Sequence, residues 1–131
     1  MRKFFWIFIW AFFLNWIWEN MHSYLYIHYR GGPITQALLA RAAFIDAFFI
    51  TVLWLFFQFI PYLKKRIWFA AIFAVIASII LEKYALNSGR WAYNEYMPII
   101  PVLNTGLTPT IQLGILSFFI FKYADKIFGR E

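Results

Sequence analysis

The sequence predicts an all-α integral membrane protein, a four-helix bundle with a long outer loop between helices three and four. Three observations carry that expectation. Hydrophobic residues make up 63% of the chain, and its mean hydropathy is +0.65, whereas soluble domains are about 45–50% apolar. The apolar residues fall into runs of bilayer-spanning length. Lys and Arg cluster beside those runs, as the positive-inside rule expects. The 131 residues suit one transmembrane domain, 1–131, with spans at about 4–27, 34–60, 67–86 and 109–128.

Span one follows Met1-Arg2-Lys3, a start that resembles a signal peptide. The run is rich in Phe and Trp and offers no small-residue cleavage site, so a retained span is expected. Asn15, Glu19, His22 and Tyr26 fall at i, i+4, i+7 and i+11, one face of a helix. Gly31-Gly32-Pro33 makes the next turn, with Pro33 at or just before the first helical position of span two. Span two carries Arg41 and, near its middle, Asp46. Each such charge costs about 2.5–3.5 kcal/mol unless it is paired, neutralised or facing water. Pro61 closes this span, and Lys64-Lys65-Arg66 follow in a very short loop.

Span three holds Ser78 and Glu82 one turn apart and stops at Gly89. The connection from there to Thr108 is long for a helix bundle, where about 2–8 residues are usual. Pro98 and Pro101 argue against a helix within it. Its apolar middle, Met97 to Leu103, is expected to lie in the interface or dip back into the bundle. Span four opens with Thr108 as N-cap and Pro109 at the first helical position, which sets Gln112 on the same face as Thr108.

Four spans place both termini on one side. Arg2, Lys3, Lys64, Lys65, Arg66, Lys122, Lys126 and Arg130 lie there, against Arg30, Lys83 and Arg90 on the other. Both termini are therefore expected in the cytoplasm, with the protein in the cell membrane, a bacterial inner membrane. Glu19, His22, His28, Arg41, Glu82, Arg90, Trp91, Tyr93, Glu95 and Gln112 then gather at the outer leaflet, with Asp46 below them. The opposite half reads as nearly pure Phe, Ile, Leu and Ala. The result is a polar cup opening outward.

The net charge of +6 is spread over flanking clusters with no basic face, so no nucleic-acid partner is expected. The absence of Cys excludes disulfides, thiolate metal sites and a Cys nucleophile. Glu19-Asn20-Met21-His22 has the Glu-x-x-His spacing of carboxylate-bridged metal sites, but those need two such motifs. No metal and no cofactor is expected. Neither Ser23 nor Ser88 stands in a nucleophile turn, and no Gly-rich phosphate loop occurs. What remains are ionisable groups inside the membrane, which are functional candidates by default. Asp46, Glu82 and Glu19 are the candidate catalytic groups; His22, Arg41, Arg90, Trp91, Tyr93 and Gln112 are the candidate ligand contacts. The alternative is structural. Arg41 would pair with Asp46 or another acid, while Glu19, Glu82 and Arg90 would pin the long loop to the helix ends.

Glu82, Gly89-Arg90-Trp91-Ala92-Tyr93-Asn94, then Gly106-Leu107-Thr108-Pro109-Thr110-Ile111-Gln112 with Phe118-Phe119 downstream resemble part of the small membrane lycopene cyclase domains. The resemblance covers residues 79–121. It implies a shared membrane architecture and a polyisoprenoid or other long apolar ligand. That family carries acids after the Pro, where this chain has Ile111 and Gln112, and an amide cannot start a cyclisation by protonation. Cyclase activity is therefore not implied. The whole chain also resembles small bacterial four-span membrane proteins of unknown function.

Three functions compete at this level. One is a protein that binds or modifies an isoprenoid or other membrane lipid, with proton transfer as its chemistry. Another is a non-enzymatic accessory or structural subunit packing on a membrane protein partner. The third is a small transporter acting as a homo-oligomer.

Overall fold

The computed structural model describes residues 1–129; Arg130, counted above with the cytoplasmic charges, lies outside them. The chain is mostly helical, at 72% helix and 9% strand. Its elements run α1 (Arg2–His22), β1 (Tyr26–Tyr29), α2 (Gln36–Gln58), the one-turn α3 (Pro61–Lys64), α4 (Trp68–Asn87), β2 (Trp91–Tyr93), β3 (Ile99–Ile100), β4 (Thr105–Gly106) and α5 (Leu107–Phe128). Helices α2, α4 and α5 are long and apolar enough to cross a membrane. The Trp, Asn and Glu residues of α1 lower its hydropathy, and it falls outside that group.

The helices meet along narrow stripes, made mostly of small residues in α4. In α1 the buried positions are Lys3, Ile7, Ala11, Asn15, Glu19 and His22, steps of four and then three that trace one helix face. In α4 they are Ala70, Ala74, Ser78, Glu82 and Ala85. Small residues at such spacing let backbones approach closely, which is how helices associate where lipid removes the hydrophobic incentive. Helix α5 is the central element: 56% of its apolar window is buried, against 28% for α2 and for α4. It packs on α1 and α4, and α1 packs on α2, whereas α2 and α4 barely touch. That missing contact leaves a gap, which the site occupies.

Several boundaries differ from the sequence expectation. The first helix ends at His22 rather than continuing to residue 27. A 3-10 turn, Ser23–Leu25, follows, in which Ser23 Oγ donates back to the Asn20 carbonyl at 3.1 Å. Residues 26–29 then leave the helical path because they pair, antiparallel and with a bulge, against Trp91–Tyr93. Such pairing across the chain outweighs local helical pattern. Helix α2 begins at Gln36, capped by the Thr35 hydroxyl accepting from Leu38 N–H at 3.3 Å, so Pro33 stands before the cap. It ends at Gln58, and Pro61 opens α3 instead of closing α2.

At the end of α4 the stop at Gly89 takes a specific form. Gly89 has φ +75°, Arg90 N–H donates to Ala85 O at 2.9 Å, and Gly89 N–H to Leu86 O at 3.3 Å. This is a Schellman motif, which needs a residue with positive φ just past the cap. The long connection is not a loose loop but two short antiparallel pairings, β1 with β2 and β3 with β4. Its apolar middle divides, with Met97 buried and Val102 exposed. Helix α5 starts at Leu107 after Gly106, so Thr108 is not its N-cap and Pro109 is not its first residue.

The far end of the bundle is less apolar than expected. Lys3 Nζ sits 2.7 Å from Asp125 Oδ1 and donates to Gly129 O at 2.9 Å, tying α1 to the end of α5.

Candidate functional site

A cavity of about 290 Å³ lies between α2 and α4, backed by α1 and α5 and roofed by β1 and β2. The polar stripe of α1, the middle of α2, the end of α4 and the start of α5 all reach it. Glu19, His22, Arg41, Asp46, Glu82, Arg90, Trp91 and Gln112 line it, together with Tyr26, Tyr29, Arg30 and Ser78. Leu38, Ala42, Ile45, Leu81, Pro109 and Leu113 supply its apolar wall.

Its inner wall is built around Gln112. The Nε2 of this buried amide lies 2.9 Å from Asn15 Oδ1, 3.1 Å from Glu19 Oε1 and 3.1 Å from Asp46 Oδ2. Asn15 Nδ2 donates to Ala11 O at 2.7 Å, which fixes Asn15 Oδ1 as an acceptor. Three acceptors facing one atom require that atom to be the donor, so the amide orientation follows from the network. An amide nitrogen carries two protons. Gln112 therefore shares two hydrogens among three oxygens, drawing Glu19 and Asp46 to one point.

Glu19 is also paired on its other oxygen. Oε2 lies 3.1 Å from His22 Nε2, and His22 Nδ1 lies 2.9 Å from Thr108 Oγ1. The Thr108 hydroxyl is directed at Met97 Sδ, 3.5 Å away. With that hydrogen committed, Thr108 accepts and His22 Nδ1 donates, an assignment made from the network. A proton then sits between His22 Nε2 and Glu19 Oε2, whichever of the two atoms holds it. That is the arrangement of a proton-transfer pair. It also explains why Thr108 does not cap α5: its hydroxyl is used by His22.

Glu82 has a second task. Its Oε2 accepts from Trp91 Nε1–H at 3.0 Å and from the Tyr93 hydroxyl in a shorter bond. The Tyr93 Oη in turn accepts from Gly106 N–H at 3.1 Å. Glu82 thus ties α4 to β2 and, through Tyr93, to β4, holding the roof in place. Gly106 is required by close packing, since a Cβ there would lie 2.9 Å from Met97 Sδ and 3.0 Å from Tyr93 Cζ. Tyr93 stands behind the cavity wall, while Trp91 lines it.

Arg41 is not paired with Asp46. It is exposed at the cavity mouth, and Asp46, half-buried, accepts from Gln112 instead. His28 and Glu95 lie away from the cavity, His28 accepting from Gly31 N–H at 2.9 Å. Among the described residues no group of three or more His, Asp or Glu is arranged to hold a metal ion.

The chain matches no protein-family model, no curated protein and no solved structure. The site is therefore read from its own chemistry. Sequence reasoning missed Arg30, Tyr29 and the role of Asn15 as an acceptor. Arg30 stood next to Gly31-Gly32 on the same outer side as Arg90, a signal that was present but counted only as flanking charge.

The roof carries the clearest electrostatic signature. Burial, followed by the Glu82 charge, pushes the Tyr26 phenol well above the ordinary tyrosine range. Burial and then Glu19 do the same for Tyr29, and burial with the Glu82 hydrogen bond does so for Tyr93. Below about pH 10 these phenols are neutral both folded and unfolded, and they add no pH dependence. Above it the unfolded chain ionises first, so stability falls by about 1.4 kcal/mol per pH unit for each such phenol. Melting curves in detergent between about pH 9 and pH 11 are expected to show this decline, with a shallower slope in Tyr26→Phe. An identical slope in the variant would show that Tyr26 ionises as readily folded as unfolded.

Proposed function

We propose that this chain is a four-span membrane protein, with α1 as the additional span, whose outward-facing cup binds an isoprenoid or other lipid. The single observation that supports it is the cavity itself. Carboxyl, amide and imidazole groups line its inner wall, and its apolar side lies at the gap between α2 and α4, where Ile45 and Leu81 are exposed. A volume of about 290 Å³ is at the lower edge of small-molecule pockets, roughly 300–1,000 Å³. It suits a polar end and the first carbons of a chain, with the remaining tail leaving between α2 and α4 into the bilayer. The chemistry available to such a ligand is proton transfer, with the His22–Glu19 pair as donor or acceptor and Asp46 across Gln112. Both termini face the cytoplasm in this reading, as the distribution of Lys and Arg supports.

A monomeric pore fits less well. Beneath the cup, Ile7, Ala11, Ile50, Phe57 and Phe121 are packed to 2% exposure or less, and the buried Thr51 and Ser117 hydroxyls donate back to their own helices. The lipid reading is tested by purifying the protein, extracting what travels with it and identifying the extract by mass spectrometry. One enriched apolar species is expected, reduced in Asp46→Asn when that variant melts like the parent. Bulk phospholipid alone, in membrane proportions from both proteins, would rule the reading out.

A further inference from the structure

Three arginines converge on the cavity from three different elements. Arg30 ends the β1 arm, Arg41 sits in the second turn of α2, and Arg90 follows the Schellman turn of α4. A backbone hydrogen bond from Arg30 N–H to Arg90 O holds the first and third side by side, with Arg30 at φ +55°. Two residues of like charge are thereby neighbours in the backbone, and Arg30 takes a conformation that non-glycine residues seldom adopt. All three side chains are exposed, and among the described residues none forms a salt bridge. Arg90 lies over the Tyr84 ring at 5.6 Å, a contact that leaves its N–H groups available.

The acids of the cavity do not answer these charges. Glu19 and Asp46 are drawn to Gln112 and His22, and Glu82 to Trp91 and Tyr93. One more group is left over inside. Ser78 is 3% exposed, lines the cavity, and its Oγ has no hydrogen-bond partner. A hydroxyl in a helix can usually bond back to its own preceding turn, and this one does not. Buried polar atoms are overwhelmingly partnered, so an unpartnered one facing a cavity marks where a ligand atom belongs.

We propose that the ligand's polar end is a phosphate-bearing anion gripped by Arg30, Arg41 and Arg90 at the cavity mouth, a specificity that rests on reading the cavity as a lipid site. Guanidinium groups match phosphate oxygens two at a time, and a head held this way needs no help from the acids. The ester oxygen joining the phosphate to its chain accepts from Ser78 Oγ, the chain carbons pass the inner carboxyls, and the tail leaves between Ile45 and Leu81. Head-group recognition and proton transfer occupy different ends of one cavity. A purely hydrocarbon ligand would leave the three cations without a role.

The test uses the full chain in phospholipid-free detergent and three probes: farnesyl phosphate, farnesol and inorganic phosphate. Farnesyl phosphate is expected to bind about tenfold or more tighter than farnesol, the effect of at least one charge-assisted hydrogen bond. Arg41→Gln and the pair Arg30→Gln with Arg90→Gln are expected to shrink that ratio towards one while farnesol binding stays. Their side chains are exposed, so melting temperatures should hold; the wild-type ratio decides the matter even if they do not. Equal binding of farnesyl phosphate and farnesol would overturn the phosphate grip and leave the lipid reading standing. Inorganic phosphate binding as tightly as farnesyl phosphate would overturn it in favour of a free-anion site. Binding of neither farnesyl probe would remove the lipid reading and this proposal with it.

Discussion

Gln112→Leu is expected to be among the most damaging single substitutions in the chain. It removes the one donor shared by Asn15, Glu19 and Asp46, and it leaves three oxygens facing an apolar side chain. Asn15 is fully buried and Glu19 is 7% exposed, so neither can turn to solvent. Leaving a buried acceptor unpaired costs about 1–3 kcal/mol, more for charged groups. Asp46 borders the cavity and recovers part of its loss from water. The sum is about 2–5 kcal/mol, read as a fall in unfolding free energy in detergent. Gln112→Met keeps the bulk and removes the donor, and it should fare no better. Parental stability in Gln112→Met would show that the position needs bulk rather than a donor.

Gly114→Ala is the second substitution with a large expected effect. A Cβ at Gly114 would lie 2.7 Å from Val75 Cγ2 and 3.1 Å from Ala71 O, where α5 presses against α4. Valine has a single favoured rotamer in a helix and cannot swing away, and a backbone carbonyl moves only with its helix. Overpacking of this kind costs about 1–3 kcal/mol. Val75→Ala clears the nearer contact and leaves the carbonyl. The double variant should therefore recover part of the loss, with a coupling above about 0.5 kcal/mol. Strict additivity of the two changes would mean that Gly114 is needed for some reason other than close approach to α4. Because α4 also forms one wall of the cavity, the same pair should alter the shape of that cavity.

Much of the fold was legible in the sequence because its signals are local. The runs forming α2 and α4 are apolar at most positions, and Gly89 stops α4 by a conformation that its own residue type favours. The stripe Asn15, Glu19, His22 was legible by spacing alone. Other features depended on partners far along the chain. Residues 26 and 27 read as helix because β2, which draws them into a strand, begins more than sixty residues later. Thr108 reads as a helix cap until His22 claims its hydroxyl. Gln112 was recognisable as a polar residue inside a span. Its acceptors, however, lie 66, 93 and 97 positions away, and no periodicity points to them. Arg41 and Asp46 invited pairing by nearness in sequence, yet at i and i+5 they do not share the i, i+4 alignment that lets helix side chains meet.

The bond between Lys3 and Asp125 joins residues 122 positions apart, the first turn of the first helix and the last turn of the last. Its consequence concerns the order of assembly. Lys3 emerges 122 positions before its counter-charge, which appears only when α5 is nearly complete. Until then the cation needs water or a lipid phosphate, and Asn15 Oδ1 and Glu19 Oε1 lack their Gln112 donor, although His22 already pairs with Glu19 Oε2 and Asn15 Nδ2 with Ala11 O. Arrival of α5 supplies Asp125, Gln112 and Thr108 to that one face along its whole length. Helix α5 thus acts as the closing strip of the assembly, and a chain lacking it would expose unmet polar groups for quality control to recognise.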